Sequence, residues 1–138
     1  MMRMRSWISI AALGLASLYG GLAEAHEAGQ ETASVLQAKA LPDAPGKFGV
    51  VALVSFEPGQ AATPHLHDGS LFAYVLEGEV VSQMAGEEAV TYRQGDSWYE
   101  IPRLGHPVAR NASTSKPAKL LVWALIGEGK PIKEPLPQ

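Results

Sequence analysis

The 138-residue chain contains no cysteine. Disulfides, thiolate metal ligands and lipid attachment through a cysteine are therefore excluded. Charge is sparse at 18% of residues, with no run of basic side chains, so neither nucleic acid nor an anionic membrane surface is an expected partner. Long helices have nowhere to sit. All 10 prolines and 11 of the 14 glycines lie beyond residue 25, where the longest stretch free of both is residues 30–41. A bilayer-spanning run is also lacking. The apolar, uncharged segment 7–22 holds 16 residues and is broken by Gly14, Gly20 and Gly21, short of the roughly 20 that a membrane requires.

That apolar segment has another reading. Arg3 and Arg5 precede it, and Ala23-Glu24-Ala25 follows as a small-x-small site. This order predicts a secretory signal peptide over residues 1–25 and a periplasmic or secreted protein, with no membrane attachment after cleavage. A thiol-free chain is consistent with an oxidising compartment. The remaining 113 residues carry 9 basic and 13 acidic side chains, a net charge of −4, and suit one domain with one core.

What lies between the glycines and prolines has strand character. Residues 48–56 (FGVVALVSF) are almost all apolar, as in a strand covered on both faces. Residues 71–76 (LFAYVL), 79–84, 89–93, 97–101 (SWYEI) and 120–126 (LLVWALI) follow, separated by turns at Gly78, Ala85-Gly86-Glu87 and Gln94-Gly95-Asp96. Short strands at this spacing predict an all-β barrel or sandwich. Residues 30–41 fit a short helix or an edge strand, with a strand near residues 35–38 preferred. The proline-rich tail 127–138 is expected as a surface arm or a loose end. The division is thus signal peptide 1–25, N-terminal extension 26–47, barrel 48–126 and tail 127–138.

Three of the four histidines are placed for metal binding. His65 and His67 stand two apart, which on a strand puts both imidazoles on one face. Pro64 holds the approach extended. His106 follows a later strand after the turn at residues 102–105. Neutral imidazoles suit iron, manganese, nickel, copper or zinc. A lone His-x-His pair is a weak signal, since exposed histidines on a strand edge produce it too. His26, the first residue after cleavage, offers an amine and an imidazole but reads as a flexible terminus.

The frame around the pair resembles the cupin family. Gly59 is followed by five residues and then His65-Leu66-His67, and Gly78 closes this first motif. Gly95 opens the second, and His106 stands eleven places later, the motif spacing; 16 residues separate Gly78 from Gly95. The resemblance implies a single-domain antiparallel jelly-roll barrel with a divalent transition metal, Fe(II) foremost, on His65, His67 and His106. It departs from the family at four points. Leu71 stands where the first motif has glutamate. In the second motif proline comes one place late at Pro102, the glycine is taken by Leu104-Gly105, and asparagine comes one place late at Asn111. Glu100 is the nearest candidate for the missing carboxylate or for a general base, although the commoner fate of such a strand glutamate, solvated and outward, is the one expected. Gln83 is a weaker candidate, as a hydrogen-bond partner for a metal-bound water.

With Leu71 inward, Ala73 and Val75 also face in, and Phe72, Tyr74 and Leu76 face out. That outward stripe predicts a homodimer. Trp98, Tyr99 and Trp123 are expected to fill core or interface space. The resemblance is closest to small quercetin-dioxygenase-like cupins, which implies a dioxygen-using oxidation of a small organic molecule. The alternative is a non-catalytic cupin that binds a small ligand or a metal.

Overall fold

The computed structural model describes residues 30–137. The expected signal peptide and His26 lie outside the described residues. Within them the fold is all-β: β1 (Thr32–Ala40), β2 (Lys47–Phe56), β3 (His65–Leu66), β4 (Leu71–Glu77), β5 (Glu79–Gln83), β6 (Val90–Arg93), β7 (Ser97–Glu100), β8 (Val108–Asn111), β9 (Ala118–Gly127) and β10 (Glu134–Pro135).

One sheet has the order β1-β2-β9-β4-β7, the second β6-β5-β8, and a short ribbon pairs β10 with β3. All pairings are antiparallel. This is the jelly-roll barrel that the cupin resemblance implied, one of the all-β forms that the strand pattern allowed. The period-two alternation of β4 sorts its side chains as expected: Leu71, Ala73 and Val75 are buried, while Phe72 and Tyr74 are 50% and 45% exposed. On the outer face Phe72 packs against Tyr99 and Trp123, with ring centroids 5.0 and 5.9 Å away. Inside, Tyr92 of the small sheet stacks on Trp98 of the large one at 4.6 Å. The fully enclosed core lies around Phe56, Val75 and Val80.

Three elements differ from expectation. β2 was expected to be covered on both faces, yet only Val50, Ala52 and Phe56 are fully buried along it. Its outer side is left half-open because, among the described residues, no second layer lies over the outer face of the large sheet. The N-terminal segment forms a nine-residue strand on the edge of that sheet, longer than the pattern suggested, because β2 offers it a full ladder of partners. The tail is anchored to the barrel by β10, which crosses to β3.

Two glycines are obligatory. A Cβ at Gly69 would lie 1.5 Å from the Leu125 carbonyl oxygen, so only glycine lets the segment after His67 pass so close to β9. Gly78, at φ +74°, turns β4 into β5, and a Cβ there would meet the Pro117 carbonyl oxygen at 2.5 Å.

Candidate metal centre

His65 and His106 face each other across a backbone bridge, His106 N–H donating to His65 O at 2.7 Å and His65 N–H to His106 O at 3.2 Å. The next residue but one, His67, is tied through its carbonyl to the Arg103 N–H at 2.8 Å. The backbone thus draws the three histidines together from two distant segments. Their rings gather at centroid distances of 4.9 Å for His65–His67 and 5.0 Å for His65–His106. All three are buried.

Each ring is turned by a bond on its outer nitrogen. His65 Nδ1 lies 2.7 Å from the Thr63 carbonyl oxygen, and His67 Nδ1 meets that of Ile132. A carbonyl accepts only, so both rings carry their proton on Nδ1 and turn the Nε2 lone pair inward. His106 is reversed: its Nε2 bonds Ser82 Oγ at 2.8 Å, which leaves Nδ1 inward. Ile132 belongs to the tail, so the segment expected as a surface arm or a loose end fixes one of the candidate ligands.

The fourth member is Glu100, and here the outward, solvated expectation fails. Its side chain is buried, with Oε2 3.3 Å from His67 Nε2 and 3.2 Å from His106 Nδ1. Oε1 accepts the Trp98 indole N–H at 2.9 Å. The reason is strand geometry: Trp98 is too large and apolar to face water, and the period of two carries Glu100 inward with it. In the register Leu71 pairs directly with Glu100, so the carboxylate missing from β4 reappears across the ladder on β7. Neighbours so paired have Cβ atoms about 5 Å apart, close enough for the exchange to keep a carboxyl at the site. The alternation in Ser97-Trp98-Tyr99-Glu100 was the available signal. Trp98 accordingly does more than fill space. Gln83 takes no part, since its amide donates to the Glu87 carbonyl at 2.9 Å on the surface.

The second motif also resolves differently. Counting from Gly95, the motif glycine falls on position 103, and Arg103 occupies it with φ +61°. The residue accepts a glycine conformation in order to deliver its N–H to His67 O. Asn111 lies away from the centre, its amide bonding the carbonyls of Phe56, Glu57 and Lys116.

Burial lowers His65 to about 4, outweighing its bond to Thr63, so its imidazole is neutral near pH 7. For Glu100 burial favours the neutral acid, but the imidazoles of His106 and His67 prevail and hold the carboxyl well below the usual range. Burial acts against a charged His67 too, yet the bond to Glu100 and its charge raise it above its ordinary value. An ionised carboxylate beside imidazole lone pairs can hold a cation, and a metal ion there competes with the proton that His67 Nε2 takes up when its imidazole becomes charged.

The donor atoms of His65, His67, Glu100 and His106 all lie within 4.8 Å of one another. Glu100 Oε2 and His106 Nδ1 are buried without a hydrogen-bond partner among the described residues. Three nitrogens and one carboxylate oxygen, two of them otherwise unsatisfied, fit a divalent transition ion. The centre lines a cavity of about 150 Å³ whose walls include Leu71, Ala73, Trp98, Ala109 and Val122.

The structure is a small antiparallel barrel with a buried cluster that could hold a metal ion, and the comparisons agree on the fold. Residues 52–124 match the cupin domain family, and the chain belongs to that family. Among solved structures it is similar to an uncharacterised conserved protein with a double-stranded β-helix domain from Klebsiella pneumoniae, at 21% identity over 78% of this chain and 87% of that one, TM-score 0.61. TT1209 from Thermus thermophilus is 29% identical over 69% and 82%, TM-score 0.55. The DMSP lyase DddQ from Ruegeria pomeroyi is 18% identical over 84% and 56%, TM-score 0.63. No curated protein matches the chain.

Proposed function

We propose that this chain is an exported, metal-dependent enzyme that oxidises a small, largely apolar organic molecule with dioxygen, using iron or a similar ion on His65, His67, Glu100 and His106. The observation that carries the reading is the position of four convergent donors in the wall of an apolar cavity of about 150 Å³. Such a volume holds roughly one benzene-sized ring, which favours single-ring or short-chain substrates over flavonols. A bound transition ion would supply Lewis acidity, a change of oxidation state and coordination positions beyond the four protein donors.

The chain's own groups prepare that chemistry. Thr63 and Ile132 hold the imidazole protons of His65 and His67 away from the cavity. The Trp98 N–H fixes the carboxylate of Glu100, which offsets one unit of the ion's charge. Leu71, Ala73 and Val122 keep water from the reacting face. A second reading, a binding module without turnover, is favoured by one feature: apart from the centre, the acid and the base among the described cavity-lining residues, Glu31 and Lys133, are paired with each other.

Oxygen uptake by the Fe(II)-loaded protein, measured against phenols, thiols, short alcohols and flavonols, tests the proposal. Uptake that depends on a single-ring substrate and disappears in His65→Ala supports it. Metal and ligand binding without uptake for Fe(II), Mn(II), Ni(II) or Cu(II) leaves the binding module.

A further inference from the structure

The cavity has a second polar feature, remote in sequence from the centre. Glu31, just before β1, and Lys133, on the tail beside Ile132, both line it and form an ion pair through Glu31 Oε1. The lysine side chain is 38% exposed and marks the rim, whereas the glutamate side chain is only 7% exposed. Its second oxygen, Oε2, is buried and has no hydrogen-bond partner among the described residues. An acceptor kept dry and unpaired is costly to a fold, and this one lines a wall that is otherwise apolar apart from the metal centre and Lys133.

We infer that Glu31 is a specificity-determining residue whose carboxylate, by a turn of the side chain that brings the enclosed Oε2 to the cavity, accepts a hydrogen bond from a neutral hydroxyl on the bound molecule. The inference rests on the reading of the cavity as a substrate site. Lys133 sets the class of donor. Its charge cancels that of Glu31, so a cationic ligand meets no net opposite charge at the rim, while a neutral O–H still finds a lone pair that no donor among the described residues occupies. The substrate is thus an apolar body of about one ring bearing an uncharged hydroxyl. The same tail segment that turns His67 through the Ile132 carbonyl presents Lys133 to Glu31, which places hydroxyl recognition and the metal centre on one structural unit.

The test compares benzyl alcohol with ethylbenzene, which replaces the hydroxyl by a methyl group, and with benzylamine, which is cationic at pH 7. Each is titrated into the protein, metal-free and Zn²⁺-loaded, with the fluorescence of Trp98 in the cavity wall as the signal. Benzyl alcohol is expected to bind about tenfold more tightly than ethylbenzene and more tightly than benzylamine, with the preference reduced to about twofold or less in Glu31→Leu. Equal affinity for alcohol and hydrocarbon in the wild-type protein, no binding of either, tighter binding of the amine, or an unchanged preference in a folded Glu31→Leu protein overturns the inference. Failure to take up metal or oxygen would instead end the proposed function, because the metal-free titration does not depend on either.

Discussion

The two ends of the barrel bury polar side chains in opposite ways. At the end where β4 turns into β5, Asn111 is buried with its amide nitrogen on three backbone carbonyls and its oxygen accepting from the Ser113 N–H at 2.9 Å. Around it Val75, Val80 and Ala118 are wholly enclosed. At the other end His65, His67, Glu100 and His106 are as deeply buried, yet Glu100 Oε2 and His106 Nδ1, 3.2 Å apart, have no hydrogen-bond partner among the described residues. One end satisfies its polar atoms internally and serves stability. The other holds donor atoms in reserve, which costs stability and leaves them for a ligand. Backbone strain differs as well: Gly78 makes a left-handed turn at the first end without strain, while Arg103, the non-glycine residue with positive φ among the described residues, stands at the second.

The largest effect that separates the ends should come from Gly78→Ala. Its Cβ would press on the Pro117 carbonyl at a positive φ, a combination expected to cost about 3–5 kcal/mol. Denaturant melts should show that loss, while the affinity for metal of the folded fraction stays unchanged. A loss of metal affinity as well would mean that the two ends are not separate.

A smaller effect is the pH dependence of the metal-free protein, which should arise at the histidine end. Between pH 6.5 and about 4 the unfolded chain protonates His65 while the folded protein resists, so stability falls as pH drops through that range. His67, raised in the fold, works the other way: its contribution is complete below 6.5 and is lost as pH rises through its folded value. It partly offsets His65. Below 4.5 the stability contributed by Glu100, whose folded value is depressed, is lost as well. Thermal melts from pH 8 to pH 3 should therefore show a shallow decline followed by a steeper one. Gly78→Ala should shift that curve without changing its shape, and a changed shape would place titrating groups at the wrong end.

The smallest effect is expected for Arg103→Gly. Glycine relieves the left-handed backbone by about 1 kcal/mol, and the contacts of the Arg103 guanidinium with Asp68 and Glu134, at 3.5 and 4.0 Å on the surface, are worth little. A slight rise in melting temperature is the expected outcome. A marked fall would show that the side chain, not the backbone, holds the His67 segment.

Much of this was legible in the sequence, and the gaps have physical causes. The cupin resemblance set Leu71 inward, at the place of the motif glutamate, and the period of two then assigned Ala73 and Val75 to the interior with it. Motif spacing drew His65, His67 and His106 into one candidate set. Glu100 was misjudged because a charged residue was weighed alone, when its partner two places back, Trp98, decides which way the strand faces. The roles of Ile132 and Ser82 could not be read. Each acts through contacts between segments far apart in the chain, and a backbone carbonyl carries no sequence signature. The tail looked loose for the same reason, since two residues of pairing with β3 leave no periodic pattern.

The central claim is that the buried histidine–glutamate cluster is a metal centre. Metal content per chain by mass spectrometry, on protein equilibrated with one transition metal at limiting concentration, tests it most directly. The account predicts close to one ion in the wild-type protein and a loss of about tenfold or more in affinity for both His65→Ala and Glu100→Leu. Equal metal content in all three proteins would contradict it.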